Sequence, residues 1–177
     1  MRRIILYIAA SIDGYIATPD GGVEWLEEIS NPTQTDHGYN TFLDSIDTIL
    51  MGGRTYHEII GFGVEWPYKS KVTYVVSRRN SNVTPNEDVH FITEDIISKI
   101  SELKNESGKD IWLVGGGELT TILLNANLID EMRLCIAPII LGQGIPLFPN
   151  KPKESLWTLT NTKAYDTGIV LSTYTRK

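Results

Sequence analysis

The chain has 177 residues, 41% hydrophobic and 21% charged, a composition that suits one globular domain with a substantial core. With 16 Lys and Arg against 22 Asp and Glu the net charge is −6, which excludes the broad basic face that nucleic acid demands. A single cysteine, Cys135, excludes an internal disulfide and fits a reducing, cytoplasmic home.

Arg3 to Ala10 reads as a buried strand. Its apolar run contains Tyr7 and flows into the turn Asp13-Gly14, unlike a cleaved leader, and no stretch reaches membrane-spanning length. A glycine-rich loop follows, Thr18 to Gly22, then an ordered piece at Val23 to Leu26. Asn31 to Tyr39 is a polar loop that enters a helix containing Phe42 and Leu43. Asp47 to Met51 is a second strand, broken by Gly52-Gly53, and Arg54 to Ile60 is a short helix closed by Gly61. Gly61 to Ser70 is expected as a surface loop. Val72 to Ser77 is a third strand, rich in β-branched residues. Val89 to Ile92 is a short strand. Thr93 is placed to cap the next helix, with Ile96, Ile97, Ile100 and Leu103 facing inward.

Ile111 to Val114 is apolar throughout and stops at Gly115-Gly116-Gly117. From Glu118 the spacing turns helical, with Leu119, Ile122, Leu123 and Ala126 on one face. A buried strand that passes through glycines into a helix presents unpaired N–H groups backed by the helix dipole, which is an anion site. The alternative is a strand-to-helix turn whose glycines serve packing. Neither the Rossmann fingerprint nor a Walker A loop is present, because Thr120 stands where the last Rossmann glycine belongs and Gly108-Lys109-Asp110 lacks the hydroxyl residue. Glu131 to Ala137 is a further strand, and Pro138 to Phe148 an apolar loop punctuated by glycine and proline. Trp157 to Thr162 and Ile169 to Thr175 form a hairpin through Asp166-Thr167-Gly168. The alternation predicts an α/β three-layer fold, its sheet mostly parallel with an antiparallel C-terminal edge, in a single domain.

In order and spacing, Ser11-Ile12-Asp13-Gly14-Tyr15-Ile16-Ala17, Met51-Gly52-Gly53-Arg54-Thr55-Tyr56, Ile111 to Gly117 and Pro138 to Phe148 resemble the dihydrofolate-reductase-like superfamily. Within it they are most similar to the branch holding the C-terminal reductase domain of the bacterial riboflavin-biosynthesis deaminase-reductase and its stand-alone relatives. The resemblance covers essentially the whole chain. It implies an NADPH-dependent reductase of a small pyrimidine- or pteridine-like heterocycle, and it favours a homodimer. It places Ala9, Ala10, Ile16 and Ala17 around the nicotinamide and its ribose, and Thr55, Gly115, Gly116 and Gly117 on the pyrophosphate. The cofactor set also takes in Gly52, Arg54, Glu118 and Leu119, with Ser77 and Arg78 at the adenosine 2′-phosphate. A cis peptide at Gly115-Gly116 is implied as well. The chain departs from the family where an arginine follows the first glycine of the second motif: Gly53 stands there and Arg54 comes one place later. NADPH preference then rests on Arg54, Ser77, Arg78 and Arg79. Family spacing puts the substrate-binding carboxylate at Asp36, without the Leu-Pro-x-Asp-Leu context expected for folate.

Hydride transfer needs a dry pocket, close approach and a proton. Pro19 to Gly22 is a candidate lid. Asp13 is either a turn residue or a catalytic carboxylate at the strand end, and Asp36 either a helix cap or a proton donor. Trp25, Tyr39 and Trp66 either stack on a planar substrate or cover a core edge. Gly142 and Gly144 belong to a loop over the cofactor or to a subunit contact. His37, His57 and His90 are scattered, so no metal is expected, and Cys135 reads as core. Dihydrofolate reduction and a non-catalytic nucleotide-binding module stand as alternatives.

Overall fold

The computed structural model describes residues 1–78 and 87–177. The chain runs β1 (Ile4–Ser11), β2 (Tyr15–Ala17), a 3-10 turn (Glu24–Leu26), α1 (Tyr39–Ser45), β3 (Ile46–Gly52), α2 (Gly53–Gly61), β4 (Val72–Val76) and β5 (Val89–Ile92). It continues with α3 (Ile96–Asn105), β6 (Asp110–Gly115), α4 (Gly117–Asn125), β7 (Glu131–Ala137), β8 (Ile145–Pro146), β9 (Trp157–Ala164) and β10 (Val170–Arg176). Eight strands form one sheet in the order β5-β4-β3-β6-β1-β7-β10-β9. The first six are mutually parallel and β10 runs against them, pairing antiparallel with both β7 and β9. This is the expected α/β sheet with its antiparallel C-terminal edge.

Helices cover both faces, which is why the central strands are apolar without alternation. In β1, Ile5 and Tyr7 join one apolar cluster with Phe42 of α1 and Tyr56 of α2. Ile4, Leu6 and Ala10 join the other, with Ile100 of α3 and Leu119 and Leu123 of α4. From β3 the chain crosses the α2 face to reach β4, and from β6 it crosses the α4 face to reach β7. β3 and β6 are neighbours in the sheet, so the crossovers part company between them. In an open α/β sheet that switch point leaves a crevice outside the carboxyl ends of the strands.

Several expectations need correction. Ile97 is 40% exposed instead of facing inward, and Ile122, grouped on one face with Leu119 and Leu123, is 42% exposed where they are buried. α4 turns Thr120 and Thr121 into the core instead, where the Thr120 hydroxyl donates to Gly116 O at 3.0 Å and that of Thr121 to Pro149 O at 2.8 Å. Hydropathy assigns threonine outward, but a satisfied hydroxyl is buried cheaply. Thr93 does not cap α3; Asp95, at φ 49, is the N-cap and makes no capping side-chain bond. Gly61 to Ser70 is not wholly superficial, because Trp66 and Tyr68 are 6% and 9% exposed and belong to the core. The Pro138 to Phe148 loop contains β8, which pairs with β2 in a separate two-stranded sheet.

Candidate functional site

The loops that leave the carboxyl ends of β1, β3, β4 and β6 enclose a groove of about 1390 Å³. Its centre is the switch point. The turn from β3 into α2 supplies Gly52, Gly53, Arg54 and Thr55, and the turn from β6 into α4 supplies Gly115, Gly116, Gly117 and Glu118. Neither helix has a side-chain cap at its N-terminus, where Gly52 and Gly116 are the N-caps. Both first turns therefore hold backbone N–H groups with no capping side chain, and both dipoles have their positive ends here.

The two turns touch. A Cβ on Gly116 would lie 3.3 Å from Thr55 Oγ1, and one on Gly52 would lie 3.5 Å from Gly116 N. The Gly115-Gly116 peptide is cis, and Gly115 has φ 141, a conformation that only glycine adopts readily. Gly117 lets α4 start directly beneath the β8 loop, since a Cβ there would lie 2.6 Å from Pro146 O and 2.8 Å from Pro149 Cδ. At the edge of the groove a Cβ on Gly53 would lie 2.9 Å from Ser77 Oγ. A side chain at 53 would require Ser77, just past β4, to rotate or shift, and the arginine in this turn is Arg54.

Ala9, Ile16, Ala17, Gly52, Arg54, Thr55, Ser77, Arg78, Gly115, Gly116, Gly117, Glu118 and Leu119 all line this groove. Ala10 does not; its side chain is fully covered within the cluster beneath α3 and α4. Arg79 lies outside the described residues.

The two anticipated catalytic carboxylates are not in the lining. Asp13 is exposed, and its carboxylate accepts hydrogen bonds from the Ser11 hydroxyl at 2.6 Å, Gly142 N–H at 2.7 Å and Leu141 N–H at 3.1 Å. These bonds hold its pKa below the ordinary carboxylate value, the Ser11 hydroxyl contributing most. Geometrically it latches the Pro138 to Phe148 loop onto the end of β1. Asp36 is exposed too and accepts from Gly38 N–H at 2.9 Å and Asn40 N–H at 3.0 Å, which depress its pKa in the same way. It caps the approach to α1. A carboxylate held ionised by backbone donors is a poor proton donor.

Trp25, Tyr39 and Trp66 are also absent from the lining; they pack in the core or at its edge. The aromatic rings in the groove lining are Tyr68 and the exposed Phe62, and Leu26, Ile59 and Val114 line it as well. Sequence reasoning missed Tyr68 because it sits in a segment that reads as loop. A Trp-Pro-Tyr run within a loop (Trp66 to Tyr68) is the signal that marks a loop folded back on the core. Gly21, from the candidate lid, lies against α2: a Cβ there would be 3.2 Å from Glu58 Oε1. Gly144 lines the groove as well. Among the described residues no cluster of potential metal ligands occurs, and no helix is long and apolar enough to cross a membrane.

The profile of the family described as RibD C-terminal domain matches residues 2–171. Among curated proteins, the chain is 35% identical over 170 residues to YwjB, an uncharacterized protein of Bacillus subtilis (strain 168), covering 96% of each. A solved structure of a putative riboflavin biosynthesis protein from Shewanella sp. PV-4 superposes with a TM-score of 0.89 at 30% identity, over 99% of each chain. The fold is shared at greater distance with a diaminohydroxyphosphoribosylaminopyrimidine deaminase/5-amino-6-(5-phosphoribosylamino)uracil reductase from Thermotoga maritima, with a TM-score of 0.72 and 13% identity. That match covers 99% of this chain but 57% of the other, so the present chain spans little more than half of the two-activity protein.

Proposed function

The chain belongs to the RibD C-terminal domain family, and we propose that it is an NADPH-dependent reductase of a small heterocycle. The observation that carries this reading is the meeting of two uncapped helix N-termini at the switch point of the sheet, inside one large groove. A dinucleotide needs a place for its diphosphate, and backbone N–H groups with two helix dipoles supply one without a cation. The residues fit the group: Thr55 Oγ1 sits beside Gly116, glycines leave the backbone open to close approach, and Arg54 and Arg78 edge the same groove.

When bound, the dihydronicotinamide supplies a hydride, which with a proton adds across an unsaturated bond of the acceptor and leaves the oxidised cofactor. The chain's part is to bind, orient and exclude water. Ala9, Ile16 and Ala17 would form an apolar floor, and Leu26, Ile59 and Val114 an apolar wall that keeps the reacting atoms dry. The Thr18 to Gly22 loop is internally braced, Gly21 N–H donating to Thr18 O at 2.9 Å and Thr18 N–H to Gly22 O at 3.0 Å, so it would move over the groove as one piece. Neither Asp13 nor Asp36 reaches the groove lining, and under this reading the proton comes from solvent or from a group in the wall. A homodimer in the cytoplasm is part of the same proposal.

Fluorescence titration with NADPH and NADH, followed by loss of dihydronicotinamide absorbance with candidate heterocycles, tests it. Saturable NADPH binding with turnover supports the reductase. Binding without turnover of any heterocycle favours a nucleotide-binding module, and turnover confined to dihydrofolate favours the folate alternative. Failure of both dinucleotides to bind removes the proposal.

A further inference from the structure

The groove has two unlike sides. Arg54 and Arg78 are the arginines in its described lining, and they stand with Thr55 and Ser77 near the open end of α2. On the α1/α2 face of the sheet the lining includes Ala9, Leu26, Ile59, Tyr68 and Val114, all packed against the apolar cluster of that face, and the exposed Phe62 just past α2. The remaining ionisable groups in the described lining are His57, Glu58 and Glu118, with Glu58 beneath the Gly21 loop. Cations elsewhere on this face are engaged. Arg133 lies 5.0 Å over the Phe42 ring and pairs with Glu131 at 2.6 Å. Lys71 Nζ donates to Ile46 O at 2.8 Å, and Lys69 pairs with Glu65. With Arg54 and Arg78 given to the dinucleotide, a phosphomonoester on the acceptor would meet no other ammonium or guanidinium in the described lining. It would keep its desolvation cost with no cation to offset it.

Among the lining side chains packed against that apolar cluster, Tyr68 is the one with a polar group. Its ring is held edge-on by Trp66, at 5.3 Å and 89°, and by Trp112, at 5.6 Å and 86°. Its hydroxyl makes no hydrogen bond to any described residue. Burial raises its pKa well above the ordinary tyrosine value, so it stays a neutral donor and acceptor.

We propose that the Tyr68 side of the groove binds an uncharged, unphosphorylated planar acceptor through the Tyr68 hydroxyl and discriminates against its phosphate-bearing counterpart. The inference rests on the reading above, in which the dinucleotide phosphates take the Arg54 and Arg78 side. A ribosylated aminouracil without its phosphate, or a free bicyclic heterocycle, has the required chemistry. The reaction that supplies such a substrate is a dephosphorylation or a ring closure that loses the sugar phosphate.

The test uses the full chain saturated with NADP⁺ and a matched pair of probes: 5-amino-6-(5-phosphoribosylamino)uracil and the same compound lacking phosphate, titrated by calorimetry. The expected result is at least roughly tenfold tighter binding of the dephosphorylated member. Tyr68→Phe, which keeps the ring, should weaken that member by about tenfold and leave NADPH affinity unchanged, a loss of about 1.4 kcal/mol. Equal or tighter binding of the phosphorylated member overturns the inference. So does failure of both members to bind, or an unchanged affinity in Tyr68→Phe. If NADPH itself does not bind, the reductase reading fails first and takes this inference with it.

Discussion

Gly117→Ala sets two effects of opposite sign against each other. Gly117 is the first residue of α4, and helix propensity alone predicts that alanine stabilises by up to about 1 kcal/mol. The surroundings predict the reverse. The added Cβ would lie 2.6 Å from Pro146 O, a backbone atom that cannot rotate away, and 2.8 Å from Pro149 Cδ. Overpacking of this kind costs roughly 1–3 kcal/mol, because the β8 loop must lift off the helix. The clash outweighs the gain in propensity, so a net destabilisation of about 1–2 kcal/mol is expected, or roughly 2–8 °C in melting temperature for a chain of this size. Lifting that loop also moves Pro146 and Pro149 in the groove wall, so NADPH affinity should fall with stability. Differential scanning fluorimetry with and without NADPH reads both. Gly61→Ala is the control. It closes α2, has no neighbour within 4 Å of the added Cβ, and should leave the melting temperature unchanged or slightly raised. A Gly117→Ala protein that melts at or above the wild-type temperature would refute the reasoning.

Arg54→Ala should weaken NADPH roughly tenfold and NADH much less, a difference read by parallel titrations, since a guanidinium recognises the extra phosphate. Asp13→Asn bears on acid stability. The folded-state pKa of Asp13 is depressed, so its contribution is full above the unfolded carboxylate's pKa and is lost as pH falls through the lowered folded value. Wild type should therefore lose melting temperature more steeply than Asp13→Asn on acidification through that window, and parallel slopes would show the latch to be silent. Cys135 is buried beside Tyr7, and burial raises its thiol pKa. Ellman's reagent should leave it unmodified in the native protein at mildly alkaline pH and titrate it after guanidinium denaturation.

The glycine turns were legible from the sequence because their physical cause is local. A β-branched, apolar run ended by glycines can do little but turn, and the residues beyond each turn have helical period. That pattern led to Gly115 to Gly117, and the resemblance added Gly52, Arg54, Thr55, Ser77 and Arg78; all of them line one groove. Ala10 reads like its neighbour Ala9 in sequence, and only the packing of the cluster on the α3/α4 face shows that its side chain is wholly covered. The carboxylates were hard to place because an Asp before a turn looks the same whether it faces solvent donors or a substrate. For Asp13 and Asp36 the backbone N–H groups of Gly142, Leu141, Gly38 and Asn40 decide it, and two of those come from a loop more than a hundred residues away.

By itself the sequence determined the alternation of strands and helices, the glycine breaks after β3 and β6, and the antiparallel closing hairpin, since each depends on neighbours along the chain. Only the tertiary structure decided that β3 lies beside β6, so that two helix N-termini share one crevice, and that Tyr68 rather than Trp25, Tyr39 or Trp66 faces it. Strand order and the direction of a loop's side chains are set by which apolar faces must be buried together. That is a property of the whole packed chain, and no local window contains it.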